Sequence, residues 1–195
     1  VVYNEMKGDY ASPDSLLQAA LNRQLFPDNC YGFDSGGDPR HITDLTYASY
    51  LESHRRYYHP SNARIFLDGE IDLEAVLGKL EEYLAQYDRL EIDARIPMQR
   101  PVSPDELVAE YEIGQEESAD HKVLTARGWV FGDFTEQEKS LACSVMTEVL
   151  CGSNDAPLKK ALLEENLAED VDFQVLDSIQ QQCVFLVVRN TSEEQ

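Results

Sequence analysis

Histidine is the side chain most often used to bind zinc or to move protons, and the chain has four, His41, His54, His59 and His121. A hydrolytic zinc site needs three protein ligands and a base beside an open position. His54 and His59 are five residues apart, which separates them by about 140° around a helix, so one helix cannot present both to one ion. His54 falls among apolar residues and is predicted to lie in the core, His59 is predicted to end a helix, and His41 and His121 are predicted at the surface. The histidines alone predict no zinc site.

Other reactive groups give no stronger pattern. Residues 35–38 read Ser-Gly-Gly-Asp, but they lack the lysine and following helix of a phosphate loop, so a structural turn is predicted. No GxSxG elbow is present. The cysteines form no CxxC pair, a pattern that predicts reduced, packed thiols. They are Cys30, Cys143, Cys151 and Cys183. Glu5, judged by spacing alone, is a solvated carboxylate early in a helix.

The charge balance excludes two classes of partner. The 195 residues carry 37 acidic and 16 basic side chains, a formal charge of -21, which repels nucleic-acid backbones and anionic membrane surfaces. No apolar run reaches the roughly 20 residues that a membrane span needs, and no signal segment opens the chain. We therefore expect no nucleic acid and no membrane as partners, and a cytoplasmic or organelle-matrix setting.

Periodicity in the first half predicts helices joined by one long loop. Helices are predicted at residues 13–26, from Thr46 to Pro60, and at 72–84, because apolar residues recur at helical spacing between capping residues and prolines. Turn formers crowd residues 27–45, and residues 63–67 read as a short strand. Pro97, Pro101 and Pro104 then mark an extended linker at about 87–107.

The second half predicts an order of two strands, two helices and two strands. Residues 108–113 and 121–131 read as a hairpin, with Trp129 as a core anchor. A capping box of Thr135 and Glu138 opens a helix that ends at Gly152, and its apolar stripe contains Leu141, Ala142, Val145, Met146, Val149 and Leu150. A helix at 157–167 and strands at 171–179 and 183–188 follow. The fold class is therefore α/β of the α+β type, with mostly antiparallel sheets packed against helices.

Four runs of sequence, in order, resemble one family. Residues 1–8 read VVYNEMKG; residues 25–28 read LFPD, with Tyr31 and SGGDP at 35–39; residues 57–64 read YYHPSNAR; and residues 156–163 read APLKKALL. Together they resemble the presequence-protease branch of the pitrilysin/insulinase zinc metallopeptidases, over nearly the whole chain. Several motifs in order are much more specific than any one of them.

The resemblance implies a zinc site that this chain holds only in part. Such peptidases resemble four α/β repeats in two halves around a peptide-sized chamber, with an inverted HxxEH motif giving two ligands and the base in the first repeat. A second helix gives the third ligand, and Glu5 matches it. The chain starts at Val1 without the HxxEH segment, so it is expected to be an internal fragment that is inactive alone and binds no zinc by itself.

The same resemblance divides the chain into two partial repeats. Residues 1–88 correspond to the C-terminal half of the catalytic repeat, 89–106 to a linker, and 107–195 to the N-terminal half of a second, non-catalytic repeat. Exposed strand edges then predict either pairing between the two pieces or a homodimer. The remaining repeats of the same polypeptide are further expected partners.

The parent protein is expected to be a zinc metalloendopeptidase, a hydrolase that cleaves short unfolded peptides. The alternative is a non-catalytic family member that serves as a scaffold or partner subunit. Zn²⁺ is the expected cofactor of the full-length parent, and peptides are its expected substrates. The bacterial cytoplasm is the expected location because the runs at 1–8 and 57–64 look closest to bacterial members, with an organelle matrix as the alternative.

Overall fold

The computed structural model describes residues 1–103 and 105–192, and its architecture is α+β. Among these residues the helices are α1 (Val2–Asp9), α2 (Pro13–Leu25), α3 (Pro39–Ile42), α4 (Tyr47–Tyr57), α5 (Leu73–Leu84), α6 (Gln137–Cys151) and α7 (Pro157–Glu164). The strands are β1 (Val123–Asp133), β2 (Asp170–Leu176) and β3 (Gln181–Thr191), and 3₁₀ turns cover Cys30–Gly32 and Pro60–Asn62. The predicted fold class is confirmed.

Local sequence explains where the helices begin. Thr46 Oγ1 accepts a hydrogen bond from Ser49 N at 3.1 Å, and Asp72 Oδ1 accepts one from Ala75 N at 3.1 Å, so α4 and α5 each have a side-chain cap. Such caps contribute about 1 kcal/mol. Pro13 begins α2 and starts it without losing a helical hydrogen bond. These predicted helices are confirmed.

The three strands form one antiparallel sheet in the order β1-β3-β2. β2 and β3 are neighbours in sequence, whereas β1 reaches β3 from about fifty residues away, with Gly128 opposite Phe185. The predicted hairpin between 108–113 and 121–131 is therefore wrong. Residues 108–113 form no strand, because β3 offers β1 a longer and more apolar partner than a segment interrupted by Glu110 and Glu112.

Helices cover both faces of this sheet. On one face, buried Phe26 at the end of α2 packs with Cys183, Phe185 and Val187 of β3. On the other face, buried Val171 of β2 forms a second cluster. That cluster includes Cys151 and Ala168, with Leu150, Leu158, Leu162, Phe173, Leu186 and Val188 packed against it. Each fully buried side chain of this size contributes about 1.5–3 kcal/mol, so the sheet carries the hydrophobic core.

Helix α6 exists as predicted but is rotated from the predicted orientation. Its buried residues are Ser140, Cys143, Thr147 and Cys151. Much of the predicted apolar stripe is exposed, including Leu141, Val145 and Val149. The predicted capping box is absent, because Thr135 donates to Asp133 Oδ1 and Glu136 occupies the N-cap. Small side chains let α6 lie close to the sheet, and its large ones face outward.

Two further packing predictions are wrong. Trp129 is not a core anchor, since it is 40% exposed on β1, with the Arg127 guanidinium 5.4 Å from its ring centre. Residues 63–67 form no strand, because the described chain gives them no neighbouring strand to pair with. The outer strand β1 thus leaves Trp129 in contact with solvent.

The predicted linker is irregular, and it is anchored near Gln99. Gln99 is buried; its amide nitrogen donates to Asp28 Oδ2 at 2.8 Å, and its carbonyl accepts from Gln181 Nε2 at 3.0 Å. Residues near 99 are therefore fixed to the loop after α2 and to β3. Pro104, one of the prolines that predicted the linker, lies outside the described residues.

The chain divides into two compact units. The sheet unit contains residues 1–40 and 96–192, and the helical unit contains residues 41–95. The predicted boundaries at 88 and 107 stay a prediction, because compactness does not say to which repeat a segment belongs. Within the described residues, no helix is long and apolar enough to span a membrane.

Candidate functional site

Glu5, the predicted metal ligand, lies in the first turn of α1 with its side chain exposed. Its backbone N–H donates to Val1 O at 3.1 Å, and its carboxylate has no hydrogen-bond or ion-pair partner in residues 1–103 and 105–192. The next residue, Met6, is buried. Glu5 is therefore a solvent-facing acceptor on a helix whose other side is held in place.

Met6 anchors α1 by packing directly over Gly36. A Cβ atom at position 36 would overlap Met6 Sδ and lie 2.8 Å from the Met6 methyl carbon, so glycine lets the end of the Met6 side chain rest directly on the loop backbone. The loop itself is a turn, in which Gly36 N donates to Asp34 Oδ1 at 2.9 Å and Gly37 has a φ of 90°. The Ser-Gly-Gly-Asp run is thus structural, and its role is to seat the helix that carries Glu5.

Tyr10 holds the other end of α1. Its hydroxyl accepts a hydrogen bond from Arg23 Nη2 at 3.5 Å, and Arg23 also lies 3.5 Å from Asp38. Burial, together with the negative charges of Asp34 and Asp38, raises the pKa of Tyr10 above its usual value. Tyr10 therefore stays a neutral phenol at physiological pH.

The three histidines of the helical unit do not converge on a metal site. His41 Nδ1 lies 3.2 Å from Asp44 Oδ2, and His59 Nδ1 accepts from Ser61 N at 3.2 Å. His54 is exposed and stacks on Tyr58 with ring centres 4.8 Å apart, so the prediction of a core histidine is wrong. It lies on the predicted apolar face, which the helical unit leaves uncovered.

The donor set of this chain does not fit a complete zinc site. Nowhere in the described ranges 1–103 and 105–192 do three His, Cys, Asp or Glu residues lie close enough to hold one ion. Zinc sites need at least three protein ligands arranged together, and α1 offers one. A metal bound by Glu5 would need its other ligands from outside the chain.

Burial keeps three of the four thiols unreactive. Cys143, Cys151 and Cys183 are buried free thiols, and burial raises the pKa of Cys183 to about 12. Cys30 is exposed, so the prediction of packed thiols is confirmed for three and wrong for the fourth. No thiolate nucleophile is available in the core.

A charged cluster that the sequence did not predict links α2 to the sheet. The Arg189 guanidinium contacts Asp172, lies 2.9 Å from Asp14 Oδ1 and lies 3.4 Å from Asp170 Oδ2. Lys159 Nζ adds a bond to Asp170 Oδ1 at 2.6 Å. Because these residues are up to 175 positions apart, no local spacing could have revealed the cluster. Its role is structural.

Comparison with known families identifies the class of protein. The sequence model of the family described as Peptidase M16 inactive domain matches residues 44–194, which is most of the chain. The chain therefore belongs to the M16 peptidase family, and the resemblance drawn from the sequence motifs is confirmed.

The chain is also similar to individual curated proteins. The chain is 42% identical to Protein HypA of Clostridium perfringens, over 97% of this chain and 20% of that protein. It is 36% identical to Presequence protease 1, chloroplastic/mitochondrial, of Arabidopsis thaliana, over 100% of this chain and 18% of that protein. It is 31% identical to Presequence protease, mitochondrial, of Xenopus laevis, over 87% of this chain and 17% of that protein. The chain spans about a fifth of the length of these curated relatives.

Solved structures agree on the fold. A protease from Helicobacter pylori superposes with a TM-score of 0.67 at 16% identity, covering 98% of this chain and 46% of that chain. An M16-like peptidase from Alicyclobacillus acidocaldarius superposes with a TM-score of 0.54 at 17% identity, covering 98% of this chain and 45% of that chain. At such identities the likeness shows the fold alone.

Proposed function

We propose that the chain is part of a zinc metalloendopeptidase that hydrolyses short unfolded peptides, and that Glu5 supplies one zinc ligand. The observation that carries the proposal is the state of Glu5. It is an exposed carboxylate, without a partner among residues 1–103 and 105–192, on a helix anchored by Met6, within the run that resembles the family's third-ligand segment. Relatives named as presequence proteases support the peptidase assignment.

The number of ligands that zinc needs determines which of them this chain supplies. The two histidine ligands and the general base come from an HxxEH segment outside the chain, and α1 holds the third ligand in a fixed position. Zinc held by these ligands would supply polarisation of the scissile carbonyl and activation of water. The contribution of this chain is positional: the packing of Met6 on Gly36 and the contacts of Tyr10 restrict where the Glu5 carboxylate can lie.

Substrate, setting and partners are proposed from the relatives. The printed names of the organelle relatives point to cleaved targeting peptides, which are short and unfolded once released. The sheet unit would form part of the wall of the chamber, together with the remaining repeats of the polypeptide. Higher identity to the Clostridium perfringens protein than to the organelle proteases supports a bacterial cytoplasm, with an organelle matrix as the alternative.

One observation favours a second candidate, a non-catalytic scaffold. The matched family model describes an inactive domain, and it covers residues 44–194 but not α1. If the parent lacks the HxxEH segment, the chain belongs to a partner subunit without its own hydrolytic activity. Hydrolysis of a quenched fluorescent peptide by the purified full-length protein separates the two candidates, because a scaffold gives no zinc-dependent turnover.

The ligand role is tested by Glu5→Gln in the full-length protein. Outer residues that only orient zinc ligands cost 10–100-fold when changed, so loss of a direct ligand should reduce zinc affinity by more than about 100-fold and peptide hydrolysis in parallel. The matched control is Asp9→Asn, which removes the same charge one turn further along α1. Unchanged zinc content and turnover in Glu5→Gln, or equal losses in both variants, would refute the ligand role.

The fragment itself gives a second test. Calorimetric titration of the 195-residue chain with zinc at neutral pH should show no tight one-to-one binding, because a single carboxylate does not hold the ion against water. Tight stoichiometric uptake that persists in Glu5→Gln would mean that the chain has another metal site.

A further inference from the structure

Helix α1 depends on its neighbours for its direction. Met6 alone among its residues, 2–9, is buried, so little of α1 is held by its own packing. Residues 10–12 connect α1 to α2, and Ala11 N donates to Gly8 O at 3.1 Å within this connection. Because the connection is short and hydrogen-bonded, the direction of α1 follows from where the first turn of α2 is fixed.

Apolar packing and a hydrogen bond hold the far end of α2 on the sheet. Phe26, which follows α2, is buried in one cluster with Phe185 of β3, and partly buried leucines of the helix pack against this cluster; they are Leu17, Leu21 and Leu25. Beyond the helix, Tyr31 Oη accepts a hydrogen bond from Gln180 N at 3.0 Å. Hydrophobic contacts are not directional, so a helix fixed at one end can still turn at the other. The first turn of α2 therefore needs a contact of its own.

Arg189 of β3 provides that contact. Its Nε donates to Asp14 Oδ1, in the first turn of α2, at 2.9 Å. Its Nη1 donates to Asp172 of β2 and lies 3.4 Å from Asp170 Oδ2. The Arg189 side chain, which is 21% exposed, thus divides its donors between a helix and the neighbouring strand. A planar guanidinium has its N–H donors at fixed angles, so this contact is directional where apolar packing is not.

We propose that Arg189 is a positioning residue: by holding Asp14 it sets the direction of α1 and, through α1, the place of the Glu5 carboxylate. The inference rests on the proposed ligand role of Glu5. Arg189 lies within residues 44–194, the region that matches the model of an inactive peptidase domain, whereas α1 and α2 precede that region. Arg189 thus acts on the proposed site through α1, not by contact with metal or substrate.

The alternative is that the cluster only stabilises the sheet unit, and Asp172 allows the two roles to be separated. Asp172 and Asp14 are bound to the same guanidinium, but Asp172 joins β2 to β3 inside the sheet, whereas Asp14 joins α2 to β3. Asp172→Asn is therefore a matched control for Asp14→Asn. It removes the same charge from the same guanidinium and leaves the contact with α2 in place.

The first measurement is hydrogen exchange of the zinc-free full-length protein, followed by mass spectrometry. Asp14→Asn should raise the exchange rates of amides in residues 5–12 by about 10-fold, because α1 and its connection open more often when the first turn of α2 is released. Asp172→Asn should leave the same rates within about twofold of wild type. Equal rates in the two variants would overturn the proposal, since the cluster would then act on stability alone.

The second measurement is the zinc dissociation constant of the full-length protein. Changing a residue that only orients a ligand costs about 10–100-fold in affinity, so Asp14→Asn should weaken zinc binding by at least about 10-fold and Asp172→Asn by less than about twofold. Asp14→Glu keeps the carboxylate and should bind zinc more tightly than Asp14→Asn. Arg189→Lys should weaken binding as Asp14→Asn does, and the two losses should not add in the double variant, because both remove one contact. Additive losses would contradict the proposal.

Glu5→Gln in the same titration separates this inference from the proposed function. Loss of zinc in Glu5→Gln, with unchanged affinity and unchanged α1 exchange in Asp14→Asn, would leave the ligand role intact and refute the positioning role of Arg189. Unchanged zinc affinity in Glu5→Gln would refute the ligand role. The exchange rates of α1 would then decide alone whether Arg189 fixes the helix.

Discussion

The sheet unit and the helical unit differ in how they meet the cost of ordering a chain. The sheet unit places Phe26, Phe185 and Val171 in its interior, with two layers of helices on one sheet. The helical unit has capped helices of ordinary length and no buried residue. Conformational entropy opposes folding by about 1–2 kcal/mol per residue, and burial is the main term that offsets it. Both units have regular secondary structure, but only the sheet unit has the buried residues that a segment needs to fold without a partner.

The largest expected difference between the two units comes from truncating one phenylalanine in each. Phe185→Ala removes a fully buried ring and should lower the free energy of unfolding of the chain by about 3–5 kcal/mol. The matched variant is Phe66→Ala, where the ring is exposed and the change should stay within about 0.5 kcal/mol. Urea unfolding measures both when it is followed by circular dichroism, which reports on both units, and by the fluorescence of Trp129, the single tryptophan, which reports on the sheet unit.

The predicted shift in urea midpoint is about 1 M or more for the buried ring. Similar shifts for the two variants would contradict the claim that only one unit has a core.

Substituting one glycine in each unit should give effects of intermediate size. At Gly32 a Cβ would overlap the carbonyl oxygen of Phe26 and lie 3.2 Å from its carbonyl carbon, so Gly32→Ala should destabilise the sheet unit by about 1–3 kcal/mol. At Gly78, within α5, a Cβ meets no atom within 4 Å, and alanine should favour the helix by about 0.5–1 kcal/mol. Circular dichroism should therefore show increased helicity for Gly78→Ala. Loss of stability in both variants would mean that α5 is already packed.

The smallest expected effect is a pH dependence confined to the sheet unit. The hydrogen bond from Lys159 lowers the pKa of Asp170 below its usual value. A carboxyl with a lowered pKa adds stability above its unfolded pKa of about 4, and this stability is lost as the pH falls through the folded pKa. Between pH 6 and pH 3 the wild type should lose more stability than Asp170→Asn. Because Asp170 is half exposed, the difference should be less than about 1 kcal/mol.

Asp93 provides the control for this effect. Its pKa is also lowered, by the hydrogen bond from Arg95 two residues away in the fully exposed part of the helical unit. Asp93→Asn should leave the pH dependence of the Trp129 signal unchanged, because the pair links no two elements. A change as large as that of Asp170→Asn would argue against the assignment of the pH effect to the sheet unit.

Signals within a few residues of sequence predicted most of the helices, but they did not predict which strands pair with each other. Asp72 and the prolines at positions 13 and 157 mark helix starts through interactions within a few residues, and those helices are present. The partner of β1 could not be inferred the same way, because β3 lies about fifty residues away. The exposure of Trp129 follows from that pairing, since β1 became an outer strand.

The candidate site shows the same limit. Spacing alone left Glu5 as one acidic residue among many, and only family resemblance gave it a metal-binding role. The contact of Met6 with Gly36, which fixes α1, joins two motifs thirty residues apart that the sequence had presented as separate signatures. His54 was predicted to be buried from its apolar neighbours, and it is exposed because the surface it belongs to is covered by nothing in the described chain.

The central claim, that Glu5 is a zinc ligand of a peptidase to which this chain contributes a part, has one direct measurement. Crystals of the full-length protein grown with zinc should give an anomalous scattering peak at the zinc edge about 2.0–2.2 Å from a carboxylate oxygen of Glu5. A zinc peak ligated entirely by other residues, with Glu5 beyond bonding distance, would contradict the account.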